Sequence, residues 1–134
     1  MTPPADVLLL AVNGTLMRGF ELNERLLAAR ATFVRETQTA PVYRLWSIDD
    51  VHPAMWRVKK GGVAVAVEIW AVPSAALAGI FLQEPEGLGI ARVLLSDGST
   101  VLGIVAEPVL CEGRRDISRF GGWRNYVQSL SVSV

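Results

Sequence analysis

Apolar residues run without interruption from Val7 to Val12 and stop at Asn13-Gly14, the pattern of a buried central strand ended by a turn. Beyond the turn, Leu22, Leu26, Leu27 and Ala31 recur at helical spacing. This predicts a short helix over 24–30 with Asn23 as its N-cap. Segments 31–37 and 42–48 are short and rich in β-branched and aromatic residues, so both read as strands. Pro41 between them cannot donate to a ladder, which puts one of the two at a sheet edge. After an Asp49-Asp50 turn, His52-Pro53-Ala54-Met55 leads into 56–59, and Gly61-Gly62 opens the strongest apolar run, 63–72. Val63, Val65, Val67 and Ile69 share one face of that run and Ala64, Ala66 and Trp70 the other, which predicts a strand in the sheet interior. Glu68 lies within it, on the alanine and tryptophan face.

Pro73-Ser74 starts a short helix over 75–82, and 83–89 reads as a loop. Segments 90–95 and 100–106 form a hairpin about Asp97-Gly98, two residues that tolerate φ > 0. A final short helix is expected within 116–127, and the alternating tail 129–134 reads as an added edge strand or a frayed end. Five or six strands with two or three short helices predict the α+β class, a mixed β-sheet curled toward a barrel around one core. The expected organisation is a single domain over 1–134, with its core at about 7–127 and a C-terminal tail at 128–134.

Composition agrees with a packed domain: 51% of the 134 residues are hydrophobic and 19% charged, which excludes a disordered class. Thirteen basic residues balance thirteen acidic ones, and the longest basic cluster is Arg57, Lys59 and Lys60. No net field is available to recruit nucleic acid or an anionic membrane, so neither is an expected partner. The single Cys111 makes no internal disulfide, which suits a reducing compartment and points to the cytoplasm. The segment Met1 to Asp6 has no basic leader region. The six-residue run after it is far short of the roughly 20 residues of a spanning helix. A monomer or a homodimer is expected.

Candidate chemistry is sparse. A glycine at the end of a buried strand lets backbone N–H groups converge on an anion, and Thr15 adds a hydroxyl donor, so Asn13-Gly14-Thr15-Leu16 offers a seat for a carboxylate. An ordinary tight turn satisfies the same local pattern. Glycine-rich phosphate loops are absent, one histidine and one cysteine form no metal-ligand cluster, and no metal or cofactor is expected. His52 has no GxSxG elbow to serve and reads as a residue lining or capping a loop. Two carboxylates stand out. Glu68, in a buried strand, has to be paired, hydrogen-bonded or raised in pKa, which a structural hydrogen-bonder also satisfies, and Glu86, in the 83–87 loop, fits a general acid/base and a solvated loop residue equally.

Taken in order, these pieces form a series. Val12-Asn13-Gly14-Thr15-Leu16, Arg18-Gly19 and 23–27 resemble the "YGTL-x-RG…N…LL" opening of the gamma-glutamylcyclotransferase-like fold. Tyr43-Arg44-Leu45 with His52-Pro53-Ala54-Met55, Val67-Glu68-Ile69-Trp70 and Gln83 to Gly87 resemble its "YRLY…YPAL", "GEVY" and "DxxEG" stretches. The nearer resemblance is to the C-terminal domain of allophanate hydrolases. It is carried by Leu10 to Val12 with Gly14, Phe33-Val34-Arg35, Thr39-Ala40-Pro41, Tyr43-Arg44-Leu45, Val67 to Pro73, Leu88-Gly89-Ile90 and Asp97-Gly98. The most distinctive block is Asp116-Ile117-Ser118-Arg119-Phe120-Gly121-Gly122-Trp123-Arg124-Asn125-Tyr126, which resembles "DIT-x-FGGWRAY". Asn13 stands where cyclotransferases have tyrosine, and Thr15-Leu16 where allophanate hydrolase domains usually have Ala-His.

The resemblance implies a gamma-glutamylcyclotransferase-like fold and a role in allophanate, and hence urea, breakdown. On that reading the domain binds a small carboxylate or carbamate through Asn13, Gly14, Thr15, Leu16 and His52. Glu86 or Glu68 moves a proton, and an N-carboxycarbamate product is decarboxylated. A second reading is a cyclotransferase releasing 5-oxoproline, with Glu86 as acid/base. A third is a non-catalytic module that partners a separately encoded amidase.

Overall fold

The computed structural model describes residues 6–132, so Met1 to Ala5, Ser133 and Val134 lie outside the described residues. β1 (Val7–Val12) is the middle strand of a five-stranded sheet ordered β2-β5-β1-β7-β6. Its neighbours are β5 (Ala66–Pro73), antiparallel, and β7 (Thr100–Ala106), parallel. β2 (Thr32–Gln38) forms one edge and β6 (Leu88–Leu94) the other. A three-stranded sheet ordered β4-β3-β8 packs on it through β4 against β7. It contains β3 (Tyr43–Ile48), β4 (His52–Arg57) and the two-residue β8 (Arg115–Asp116). The helices are short: α1 (Asn23–Ala28), α2 (Leu77–Leu82) after a 3₁₀ turn at Ser74–Ala76, α3 (Pro108–Cys111) and α4 (Trp123–Val132). This is the expected mixed α+β arrangement, but the two sheets remain separate and do not close into a barrel. No helix among the described residues is long and apolar enough to cross a membrane.

The elements form where the hydrophobic pattern placed them, with local corrections. The run Val7–Val12 is a central strand, and Leu10, Ala11 and Val12 are buried between the layers. Pro41 precedes β3, which is central in its sheet, while β2 takes the edge position. Proline within a strand appears instead at Pro53, in β4 at the edge of the smaller sheet, where a missing N–H costs no ladder bond, and at Pro73, the last residue of β5. In the β6–β7 hairpin only Gly98 adopts a positive φ, 89°. Asp97 contributes its side chain, accepting the N–H and the hydroxyl of Ser99 at 2.9 and 2.6 Å. Left-handed backbone falls instead on Asp49 and Asp50, with φ of 55° and 58°, at the β3–β4 turn. The segment after residue 128 continues α4 to Val132 rather than adding a strand.

A buried carboxylate joins the layers. Glu68 is 2% exposed, and its Oε1 accepts the Arg18 backbone N–H at 2.9 Å and the Trp70 indole N–H at 3.1 Å. Its Oε2 accepts Arg18 Nε at 3.2 Å and Arg124 Nη2 at 3.3 Å. The Arg18 guanidinium stacks on Phe33, 3.6 Å from the ring centroid, and Arg124 also bonds the Arg18 carbonyl at 2.8 Å. The chain after β1 is thereby held to both β5 and α4. The 116–126 block supplies the second tie. Ile117 donates its N–H to the Leu45 carbonyl, Ser118 Oγ accepts the Leu45 N–H at 2.9 Å, and the Gly121 carbonyl accepts the Ala66 N–H. Tyr126 hydroxyl donates to Asp50. That hydrogen bond, with the one from Ser47, holds the Asp50 carboxyl below the ordinary carboxylate range.

Removing one partner of a buried, multiply bonded charge leaves several donors without an acceptor. Arg18 and Arg124 are about half-exposed and can turn to water, but the Trp70 N–H and the Arg18 backbone N–H cannot. Glu68→Ala is therefore expected to lower unfolding stability by about 3 kcal/mol in a urea titration. A loss under about 0.5 kcal/mol, the size of an ordinary surface change, would show that the node is not structural.

Candidate functional site

The turn that follows β1 lines a narrow cleft of about 20 Å³, walled by Val12 to Leu16 on one side and by His52, Pro53, Glu84, Leu88 and Ile104 elsewhere. That volume holds little more than one water-sized group, so the cleft suits a small anionic group rather than a bulky ligand. Its position follows from the topology. β1 ends beside β7, β4 crosses at that end, and the α2–β6 connection closes the third side.

Each residue of the turn is fixed by a specific contact. Asn13 is buried, and its side-chain amide donates to the Ile104 carbonyl at 3.0 Å, tying the strand end to β7. The Gly14 carbonyl accepts the Met17 N–H and the Thr15 carbonyl the Leu22 N–H. The Leu16 carbonyl accepts the Asn23 side-chain amide at 2.8 Å. Asn23 is thus the first residue of α1 and a brace for the turn, not the expected N-cap; Leu22 holds the cap position with no side-chain bond. With the three carbonyls engaged, the N–H groups of Gly14, Thr15 and Leu16 meet no acceptor among the described residues, and neither does the Thr15 hydroxyl. Glycine is required at 14 by a close approach: a Cβ there would sit 2.5 Å from Pro53 Cδ.

His52 opens β4 and is 8% exposed. Its Nδ1 lies 2.9 Å from the Pro53 carbonyl, which only accepts, so in the neutral ring Nδ1 carries the proton and Nε2 is an acceptor. Glu84 follows α2. Its backbone N–H bonds the Phe81 carbonyl, and Arg25 Nη1 holds the adjacent Gln83 carbonyl at 3.0 Å. Burial raises the Glu84 carboxyl above its ordinary value of 4.5, and Arg25 offsets part of that rise.

The sequence candidates are therefore divided. Asn13, Gly14, Thr15, Leu16 and His52 come together in one cleft. Glu86 does not join them: it is exposed, beyond Pro85, in a separate depression with Gly87, Glu107, Leu110 and Arg114. Glu68 is also elsewhere, in a hollow with Met17, Glu36 and Arg124, and its oxygens are taken by the arginines and Trp70. The carboxyl that lines the cleft is Glu84, which sequence reading passed over. Its only signal was a second glutamate two positions before Glu86, with Pro85 between them. Cys111 is buried beside Ile48, Ala54 and Ala106, and burial pushes its thiol up to about 11, which makes it an unreactive core residue. No group of three potential metal ligands occurs among the described residues.

The model of the allophanate hydrolase C-terminal domain matches residues 8–128. The urea amidolyase of Saccharomyces cerevisiae is 28% identical over 134 residues, covering 95% of this chain but only 7% of its own length. Among solved structures, c4763, a uropathogenic E. coli-specific protein, superposes with a TM-score of 0.90 at 52% identity, covering 96% of this chain and 98% of that one. Kluyveromyces lactis allophanate hydrolase superposes with a TM-score of 0.87 at 28% identity, covering 92% of this chain and 21% of that one. An AIG2-like protein from Mus musculus, at 20% identity, a TM-score of 0.57 and about three quarters of each chain, shares the fold.

Two outcomes follow from the cleft itself. Gly14→Ala is expected to cost about 1–3 kcal/mol, the range for overpacking, because Pro53 has to move; a thermal melt matching wild type would refute the contact. For Glu84, the folded carboxyl binds its proton more tightly than the unfolded one. The resulting stabilisation is present at acid pH and is lost as pH rises from 4.5 through the folded value. Glu84→Gln should flatten that part of the stability–pH curve and leave the acid-side fall caused by Asp50 unchanged. Parallel curves for variant and wild type would contradict a buried carboxyl.

Proposed function

The chain belongs to the allophanate hydrolase C-terminal domain family, and from that premise we propose that its cleft binds a small carboxylate or carbamate and promotes its decarboxylation. The observation that carries this reading is that three residues with unengaged backbone N–H groups, Gly14, Thr15 and Leu16, share a cleft with Glu84, whose carboxyl is raised by burial. Fixed N–H donors hold a carboxylate without reorganising as charge moves. A carboxyl raised by burial keeps its proton nearer to neutral pH than an exposed one, which suits a general acid.

The reaction we assign to this arrangement is loss of CO₂ from an N-carboxycarbamate-type anion. The C–N bond to one carboxylate breaks, CO₂ leaves, and the electron pair stays on nitrogen. Glu84 donates its proton to that nitrogen and is left as a carboxylate, which solvent reprotonates at the cleft mouth. The turn amides and the Thr15 hydroxyl hold the other carboxylate in place through the step. The limited size of the cleft favours this ligand class over the larger gamma-glutamyl compounds of cyclotransferase chemistry.

Added to an allophanate-cleaving amidase, the purified protein is expected to accelerate CO₂ release. Glu84→Gln should reduce that acceleration by about 100-fold or more, the usual range for a general acid, while Glu86→Gln leaves it unchanged. An unchanged rate on adding wild-type protein counts against the enzyme reading. Unchanged rates together with co-purification of the amidase favour an accessory module.

A further inference from the structure

The cleft presents two kinds of polar group, and their balance identifies more than an anion. On its turn side lie Gly14, Thr15 and Leu16, whose N–H groups, with the Thr15 hydroxyl, meet no acceptor among the described residues. On the wall contributed by β4 the polarity is reversed. His52 is 8% exposed, its Nδ1–H is committed to the Pro53 carbonyl at 2.9 Å, and the neutral ring is thereby held in the tautomer whose Nε2 has a lone pair and no proton. No donor among the described residues reaches Nε2. Pro53 packs on Gly14 so closely that no Cβ fits between them. The acceptor on β4 and the donors on the turn are therefore held at a set separation.

We infer that His52 is a specificity-determining residue that selects, among small carboxylates, those carrying an N–H donor beside the carboxylate, as carbamates and N-acyl carbamates do. This rests on the small-anion reading of the cleft and adds the ligand's second recognition point. The carboxylate is held by the turn amides, and the ligand N–H donates to His52 Nε2. A ligand of the same shape and charge with a methyl group in place of the N–H leaves Nε2 buried and without a partner. A site built to hydrogen-bond an N–H discriminates strongly against such an analogue.

Oxamate and pyruvate test this directly. They have the same charge and nearly the same shape, and an amide NH₂ in the first replaces the methyl of the second. Calorimetric titration of the full chain should show oxamate binding about tenfold more tightly or better, the effect of one hydrogen bond to an otherwise unpaired acceptor. In His52→Phe the ratio should fall to near one, with pyruvate affinity kept within about twofold, which also reports that the variant's turn is intact. Equal affinities in wild type, or a ratio that survives His52→Phe, overturns the assignment while leaving the anion seat standing. Failure of both ligands to bind wild type removes the seat itself, and the selectivity with it. As a ligand-independent check, ¹⁵N NMR of the ring should find the proton on Nδ1; a neutral ring protonated at Nε2 refutes the proposal.

Discussion

The carboxylate of Glu68 is the interaction on which the rest of the structure depends. A charge that is 2% exposed in an interior strand requires donors on every side. Those donors come from three parts of the chain: Arg18 after β1, Trp70 on β5 itself and Arg124 on α4. Meeting that demand fixes where the chain goes after its first strand. Arg18 is drawn back against β5, so the preceding residues fold into a tight turn, and the carbonyls of Gly14, Thr15 and Leu16 find partners within it or on α1. The N–H groups of that turn are left without an acceptor among the described residues, and the residues that carry them line the cleft. The buried ion pairs and the candidate site are thus consecutive results of one constraint, although Glu68 contributes no atom to the cleft wall.

Much of the fold was legible because burial on one or both faces leaves an alternation that no other arrangement satisfies. Val7–Val12 and the run through Ile69 and Trp70 are the strongest cases. Glu68 was legible as a group in need of partners, but not as a group that already had them, since Arg18 and Arg124 lie 50 and 56 positions away. The left-handed conformation at Asp49-Asp50 was hidden for a related reason. Its support comes from Ser47, Arg114 and Tyr126, two of them far along the chain. Separation of the strands into two sheets also escaped the pattern, because period-two alternation reports which face is buried and not which sheet buries it.

The site shows where local reading stops. Asn13 to Leu16 and His52 were identifiable as neighbours through the family resemblance, and the structure brings them together. The choice between Glu84 and Glu86 was not accessible in the same way. Both flank Pro85 in a short connection, and a turn of that length points alternate side chains in different directions. Which one faces inward is decided by the departure from α2, where Glu84 still bonds Phe81, and by Gly87, whose φ of 88° and contact with Leu110 commit the next residues to β6. The resemblance locates the connection, and packing decides which of its glutamates lines the cleft.

The contact between Gly14 and Pro53 has a mechanical consequence. It is the point where the turn of the larger sheet touches the edge strand of the smaller one, and each partner sits next to a cleft residue, Thr15 on one side and His52 on the other. The aperture of the cleft is therefore gauged by the spacing between the sheets rather than by either loop alone. The 116–126 block, bonded to Leu45 of the smaller sheet through Ile117 and Ser118 and to Ala66 of the larger one through Gly121, contributes to that spacing without lining the cleft. In a domain this small, the shape of the cleft and the interlayer packing are adjusted by the same residues, so a change in one is inherited by the other.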